Sequence, residues 1–394
     1  MSKQSSPLER LAREQGEYAA AMRRALHRIP ELAFAEHKTA GVIASALREM
    51  GYAPVTGLAG TGVTARLDFG GQGPTLMLRA DMDALPVTEE TGLPFASEHE
   101  GRMHACGHDG HMAMLLGAAK ALKALQGSTA ATGLSGSVLF VFQPAEEAMG
   151  GAGPMVDEGL LDGVDQCLAI HIWPDLPEGC VGVKEGPLMA AMDRFEIHIT
   201  ASGGHGAQPH LCTDALDTAA RLACALNQLR RRVDPLQPAV LTVGCIQAGD
   251  TYNVIPAKAL LKGSARCFDE DVRNSWEDRI KAEAEAVCRA TGASYELRFI
   301  RGHGAVFNDP AVTGAVHRAA ERAVGMQRVV PAVMTLGGED FSVYQERIPG
   351  CMIFLGSGTE GGKPLHNPGF CFNETILADG VRVFCEYVSE YLSG

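Results

Sequence analysis

The chain has 394 residues, of which 46% are hydrophobic and 21% are charged, and its formal net charge is -13. This length exceeds the usual size of one hydrophobic core and predicts two domains. The composition is typical of a globular protein, and the acidic balance argues against a nucleic-acid partner and gives no support for a membrane partner. The eleven cysteines show no regular spacing and the N-terminal residues lack an apolar signal segment, which together indicate a cytoplasmic protein.

The first part of the chain is expected to form two helices followed by two strands. Apolar residues at helical spacing predict helices over 7–28 and 39–50, and β-like runs follow over 62–68 and 74–80. The second run is almost entirely apolar, as is typical of a strand buried on both faces of a parallel sheet. It leads into Asp81 and Asp83, and the carboxyl ends of strands are where open α/β sheets build their sites.

Residues 103–111 concentrate one thiol, three imidazoles and one carboxylate: Cys106, His104, His108, His111 and Asp109. Thiolates and neutral imidazoles are the usual ligands of a borderline divalent metal. The apolar pattern from Met112 to Leu125 predicts a helix, so the cluster lies where a loop becomes a helix, with Asp109 favouring its N-terminus. Cys106 and His108 can converge only if their segment is looped or extended. The alternative is a buried cysteine beside histidines that cap the helix.

Further polar residues follow two later strands. The run 137–143 leads to Glu146 and Glu147, and the run 167–170 ends at His171. Because three successive strands end in such residues, we expect them to meet the cysteine cluster at one edge of one sheet. The late strand 351–356 precedes His366. Taken one at a time, the glutamates could simply begin a solvated helix, and each histidine could have a structural role.

A different pattern begins near residue 190. Strands are predicted over 195–201, 239–247, 257–268 and 294–299, with helices over 214–232 and 271–291. The order β-α-β-β-α-β indicates a ferredoxin-like antiparallel sheet with helices on one face. Helices over 311–324 and 374–391 then return the chain to the first domain. We therefore predict a three-layer, mostly parallel α/β catalytic domain formed by 1–190 and 306–394, with an α+β domain, 191–305, inserted into it.

The candidate ligands outnumber those of one catalytic zinc ion. Cys106, His108, His171, His366 and one of the two adjacent glutamates suit two ions that share a bridging group, and a thiolate can bridge. Such a centre lowers the pKa of a shared water and polarises a carbonyl. The other glutamate can then transfer the proton. Three aspartates are candidates for orienting the ligand imidazoles: Asp81, Asp83 and Asp109.

These motifs, taken in order, resemble the M20 family of metallopeptidases and amidohydrolases. Within it they are most similar to hippurate hydrolases, N-acyl amino acid amidohydrolases and plant auxin-conjugate hydrolases. The resemblance covers nearly the whole chain and rests on these segments: His27–Leu32, Arg79–Pro86, Met103–His111, Gln143–Glu147, His171, Gly203–His210, Asn253–Pro256, Gly337–Phe341 and Leu365–Pro368.

The resemblance implies a role for each residue of the centre. It implies five ligands of two divalent ions: Cys106, His108, Glu147, His171 and His366. The mixed sulfur, nitrogen and oxygen donor set admits zinc, manganese, cobalt or nickel. The resemblance also implies Glu146 as the general acid/base, which spacing alone left open. The wider family has a histidine where this chain has Asp81, so no ligand role is carried over to that residue.

The resemblance also implies that 191–305 is a dimerisation or lid domain. In a homodimer or homotetramer, His205 would reach the partner's site and donate to the oxyanion, while Asn253 and Arg266 would hold the substrate carboxylate. The expected activity is hydrolysis of N-acyl amino acids by metal-activated water. The alternatives are a dipeptidase or carboxypeptidase of the same family, or a catalytically silent relative that binds metal or a ligand.

Overall fold

The structure is a computed structural model, and it describes residues 7–128, 131, 133–148 and 150–393. In chain order the helices are α1 Pro7–Arg13, α2 Gly16–His27, α3 His37–Glu49, α4 His108–Gln126, α5 Ala152–Asp157, α6 Ala215–Gln228, α7 Glu270–Thr291, α8 Pro310–Val324, α9 Ser342–Gln345 and α10 Ile376–Leu392. None of the helices in this part of the chain is long and apolar enough to cross a membrane.

The strands occur singly between helices and also in consecutive runs, such as the first three and the fifth to the ninth. They are β1 Val55–Leu58, β2 Gly62–Gly70, β3 Thr75–Asp81, β4 Gly136–Gln143, β5 Gln166–Pro177, β6 Val181–Val183, β7 Gly186–Met189, β8 Ala191–Thr200, β9 Gly204–His205, β10 Ala239–Ala248, β11 Val254–Ile255, β12 Lys258–Cys267, β13 Ser294–Ile300, β14 Val306–Asn308, β15 Val329–Pro331 and β16 Gly350–Gly358. Two compact units result. The first comprises Met1–Leu188, Phe307–Val333 and Asp340–Gly394, and the second comprises Met189–Val306 and Met334–Glu339.

The first unit is built on an eight-stranded sheet in the order β1-β2-β4-β3-β5-β16-β6-β15. The neighbours β4, β3, β5 and β16 run parallel, while β1 and β2 join one edge antiparallel. Every residue of β3 is buried, because helices such as α4 and α10 contribute to the same hydrophobic core. The prediction of a mostly parallel α/β sheet is confirmed, and β3, β4 and β5 direct their carboxyl ends to one edge.

Two of the predicted helices differ from those observed. The helix expected over 7–28 is divided into α1 and α2, and α2 begins at Gly16, where a Cβ would lie 3.1 Å from that of Ala378. Glycine permits this close approach and is also a poor helix former, so the break occurs there. The helix expected from Met112 begins four residues earlier, at His108.

The second unit contains a four-stranded antiparallel sheet in the order β10-β12-β8-β13. Its strands alternate between buried and exposed residues, and α6 and α7 pack together over the buried side around Phe195 and Trp276. This order and connectivity confirm the ferredoxin-like prediction. Met334–Glu339 also belongs to this unit, although the sequence pattern placed it with the residues after 306.

Candidate metal centre

The turn Cys106-Gly107-His108 brings the first two predicted ligands together. Gly107 has φ 85°, a left-handed conformation that glycine adopts without steric cost, and α4 begins at the next residue. The ligand atoms of Cys106, His108 and His171 lie within 4.8 Å of one another, and the Cys106 Sγ to His171 Nε2 distance is 3.7 Å. The looped segment that the sequence required is therefore present.

A second group of donors shares the same thiol. The ligand atoms of Cys106, Glu147 and His366 lie within 4.8 Å of one another, and His366 Nε2 is 3.3 Å from Glu147 Oε1. His366 has φ 65°, which is unusual for a non-glycine residue, and its N–H donates to the carbonyl of Ala105 at 2.8 Å. Since Cys106 belongs to both groups, it occupies the position that a bridging thiolate would need.

The ligand imidazoles are held in defined orientations. His108 Nδ1 lies 2.8 Å from the backbone carbonyl of Asp83, and His171 Nδ1 lies 2.7 Å from the carbonyl of Ile172. A carbonyl oxygen only accepts, so in both rings Nδ1 carries a proton, and Nε2 is the nitrogen left to face a metal ion. Metal-binding histidines commonly donate their second ring N–H in this way.

The charges around these donors suit a cation. His108 Nε2 is buried and has no hydrogen-bond partner among the residues that the structure describes. Burial, followed by Glu147, Glu146 and Asp81, raises the pKa of the Cys106 thiol well above its usual range. Burial alone would lower the pKa of His108, but Asp81, Asp83 and Glu147 outweigh it and raise this pKa to about 10. Divalent ions would neutralise this concentration of carboxylates, so the residues present fit a metal centre.

Asp81 orients a neighbouring imidazole. Its Oδ1 lies 2.7 Å from His111 Nδ1, and His111 Nε2 accepts the N–H of Ile172 at 2.8 Å. Both nitrogens of His111 are therefore engaged, which makes this ring a support for the backbone beside His171 rather than a ligand. Burial opposes ionisation of Asp81, but His108, His111 and Arg79 hold the pKa of its carboxyl well below the usual range.

Asp83 supports the segment that contains the adjacent glutamates. One of its carboxylate oxygens accepts the N–H of Glu146 at 3.0 Å, and the other accepts the N–H of Glu147 at 2.9 Å. The backbone carbonyl of Asp83 also accepts from His108, so this one residue orients one imidazole and two consecutive peptide groups. The ligand atoms of His108, Glu146 and Glu147 lie within 4.8 Å of one another.

Asp109 does not contact a predicted ligand ring. Its Oδ2 accepts from Arg23 Nε at 3.0 Å and lies 2.8 Å from His27 Nδ1. The reason is geometric, because Asp109 follows His108 within the same helix and is turned by about 100° towards α2. The expectation that Asp109 orients a ligand imidazole is therefore replaced by a role in joining α4 to α2.

The remaining predicted residues belong to the second unit. Strands β9 and β11 pair so that His205 lies opposite Val254, which brings His205 close to Asn253. His205 is exposed, and its Nδ1 accepts the N–H of Ala207 at 3.0 Å, so its proton is on Nε2. Arg266 lies on β12 and donates to the carbonyl of Leu336 at 2.9 Å.

A buried polar network behind Asp81 was not assigned a function from the sequence. Arg79 donates to Asp81 at 2.6 Å, to Asp340 at 3.1 Å and to Gln143 at 2.9 Å, and Tyr344 also donates to Gln143 at 2.9 Å. The sequence feature that pointed to this network was an arginine inside an otherwise apolar strand, since a fully buried arginine requires an acidic partner. The sequence did not identify Asp340 as that partner.

The fold and the cluster define a candidate metalloenzyme, in which a mostly parallel sheet presents mixed sulfur, nitrogen and oxygen donors at one edge. The chain belongs to peptidase family M20/M25/M40, whose model matches residues 77–390. The resemblance inferred from the motifs is confirmed, and as a member of this family the protein is a hydrolase that acts on amide bonds.

Relatives of known name match almost the whole chain. The N-acetyl-L-cysteine deacetylase of Bacillus subtilis (strain 168) is 44% identical over 90% of this chain and 84% of its own length. The N-acyl-L-amino acid amidohydrolase of Geobacillus stearothermophilus is 43% identical over 80% of this chain and 85% of its own. Thermostable carboxypeptidase 1 of Saccharolobus solfataricus is 36% identical over 93% of this chain and 94% of its own length.

One similar solved structure is the YXEP protein of Bacillus subtilis, described as a dinuclear metal-binding peptidase of family M20. It superposes with a TM-score of 0.81 at 35% identity, and the match covers 96% of this chain and 99% of that one.

Proposed function

We propose that this protein hydrolyses the amide bond of N-acyl amino acids, with Glu146 as the general acid/base. The observation that supports this role is the position of Glu146 within the donor cluster, on a backbone that Asp83 fixes through two consecutive amides. Glu147, the next residue, has its ligand atom within the Cys106 and His366 group. The two adjacent carboxylates can thus serve different purposes, one as a ligand and one in proton transfer.

The proposed cofactor is a pair of divalent ions. Cys106, His108 and His171 would hold one ion, and Cys106, Glu147 and His366 would hold the other, with the thiolate shared. When bound, the ions would supply a water of lowered pKa and polarise the substrate carbonyl. The mixed donor set suits zinc, manganese, cobalt and nickel, so metal identity has to be measured.

The chain's own residues would complete the reaction. Glu146 accepts the proton of the attacking water and later returns it to the departing amine, so that no net proton is consumed at the carboxylate. His205, with its proton on Nε2, is suited to donate to the oxyanion, and we propose that it does so in a second copy of the chain within a homodimer or homotetramer. Asn253 and Arg266 are proposed to bind the substrate carboxylate.

A carboxypeptidase or dipeptidase is the second candidate, because a relative named as a carboxypeptidase is 36% identical to this chain. N-acyl amino acids are preferred because the relatives named for such substrates are 44% and 43% identical. A catalytically silent relative is disfavoured, since all five donors and Glu146 lie together. All eleven cysteines are free thiols, which supports the cytoplasm as the proposed compartment.

The test is a substrate screen with defined metal content. The purified protein is stripped with a chelator, reloaded in turn with each of the four metals, and assayed with N-acetyl amino acids, hippurate, dipeptides and N-blocked peptides. We expect chelation to abolish activity, metal to restore it, and N-acyl amino acids to give the highest kcat/KM. A preference for blocked peptides would favour the carboxypeptidase, and an inactive protein with bound metal would favour the silent relative.

A further inference from the structure

The turn that holds Glu146 adopts an unfavourable backbone conformation. Ala145, the residue before Glu146, has φ 57°, although alanine disfavours the left-handed region because its Cβ crowds the following carbonyl. Such a conformation persists only when the surroundings determine it from several sides. The groups that hold Ala145 therefore decide where the following side chain lies.

Three consecutive N–H groups of this turn are held by two buried carboxylates. Asp83 accepts from Glu146 and Glu147, and Glu36 Oε1 accepts the N–H of Ala145 at 2.9 Å. Glu36 is fully buried, and its Oε2 accepts from the hydroxyl of Thr61 at 2.6 Å. Both oxygens of Glu36 are thus engaged, which fixes the carboxylate that contacts the strained residue.

The segment of Glu36 contacts the same region a second time. Phe34 also has a left-handed backbone, with φ 59°, and this is unusual for a bulky side chain. Its ring lies so close to Gly150 that a Cβ at that glycine would be 3.3 Å from it, and the N–H of Gly150 returns to the carbonyl of Ala145 at 3.3 Å. Residues 34–36 therefore support both sides of the peptide unit that precedes Glu146.

We propose that Glu36 is a positioning residue for Glu146, acting by holding the N–H of Ala145 so that the left-handed turn is maintained. This inference rests on the proposed function of Glu146. Without the Glu36 acceptor, the N–H of Ala145 would be buried and unpaired, and the residue would relax towards negative φ. The peptide plane ahead of Glu146 would then rotate and displace its carboxylate.

The test compares Glu36→Ala and Glu36→Gln with a matched control. Glutamine can still accept the N–H of Ala145 through Oε1. Its NH₂ group can donate to the Thr61 hydroxyl, because a hydroxyl can accept a hydrogen bond as well as donate one. Glu31→Ala is the control, because Glu31 is also buried and accepts backbone N–H groups from Lys38 and Thr39, at the start of α3. Steady-state kinetics at saturating metal, metal content and amide hydrogen exchange are measured for all three variants.

We expect Glu36→Ala to lower kcat about a hundredfold with little change in KM, as a displacement of about 1 Å can do. Glu36→Gln should remain within about threefold of the wild type, and Glu31→Ala within about twofold. Exchange at the amides of 145–147 should rise in Glu36→Ala, whereas Glu31→Ala should raise it at 38–39. Unchanged kcat in Glu36→Ala, or an equal loss in the control, would overturn the proposal.

One further variant and one fallback measurement cover the cases in which Glu36→Ala does not fold or the wild type is inactive. If Glu36→Ala does not fold, Glu36→Asp is used, because its carboxylate is one methylene shorter and loses reach to Ala145 while it retains the charge; it should show the same fall in kcat. If the wild type hydrolyses no amide substrate, the proposed function fails, and hydrogen exchange at 145–147 alone then decides whether Glu36 holds the turn.

Discussion

Replacement of Asp83 by asparagine should damage the centre even though the two side chains have nearly the same shape. Both carboxylate oxygens of Asp83 accept backbone N–H groups, from Glu146 at 3.0 Å and Glu147 at 2.9 Å. Asparagine has one oxygen and one NH₂ group, so one of the two buried N–H groups would face another donor. The loss of a hydrogen bond to a charged acceptor, together with an unpaired amide, should cost about 2–4 kcal/mol of unfolding free energy.

The assay is urea unfolding with metal held in excess, together with kcat for the best substrate of the screen. We expect Asp83→Asn to lower kcat about a hundredfold, because the backbone of Glu146 and Glu147 shifts. Asp165→Asn is the control, since Asp165 accepts the single N–H of Thr75 and asparagine can replace that bond with its oxygen. An unfolding free energy of Asp83→Asn within about 0.5 kcal/mol of the wild type would refute the reasoning.

Three further outcomes follow from the contacts around the centre. Cys106→Ser should leave less than the full complement of metal by elemental analysis, because the thiol belongs to both donor groups; full occupancy would contradict the shared ligand. Arg79→Met should lower the unfolding free energy by about 3–5 kcal/mol, since two buried carboxylates lose their cation; an unchanged urea midpoint would contradict this. Burial opposes protonation of His27, but Asp109 and Glu89 outweigh it and raise the pKa of this imidazole to about 9. The protonated ring therefore stabilises the fold fully below the pKa that histidine has in the unfolded chain. This stabilisation is lost as the pH rises through 9. The deficit of His27→Gln relative to the wild type should therefore shrink by about 3 kcal/mol between pH 6 and pH 10, and a pH-independent deficit would contradict the assignment.

The sequence indicated the main features of the fold because their patterns are periodic. Buried parallel strands are nearly continuous apolar runs, and the half-exposed strands of the second unit alternate, so both sheets could be predicted. The candidate ligands could be collected because β3, β4 and β5 end at one edge of the same sheet. The exact start of α4 could not be predicted, and this start determines that Asp109 faces α2 instead of the metal ligands.

Other features depend on contacts that leave no pattern in the chain. The left-handed conformations of Ala145 and His366 occur at residues that rarely adopt positive φ, so only the folded structure reveals them. Glu36 lies in an aperiodic segment more than a hundred residues before Ala145, and nothing in its neighbours signals that contact. Asp340 similarly meets Arg79 from the far end of the chain.

The central claim is that Glu146 transfers the proton while other residues hold the metal. The measurement is metal content and turnover of Glu146→Gln, with Glu147→Gln as the matched neighbour, in the same buffer and with the same N-acyl amino acid. We expect Glu146→Gln to retain the metal content of the wild type and to lose activity by a factor of about 10²–10⁴, while Glu147→Gln loses metal as well. Wild-type turnover in Glu146→Gln, or loss of its metal, would contradict the assignment.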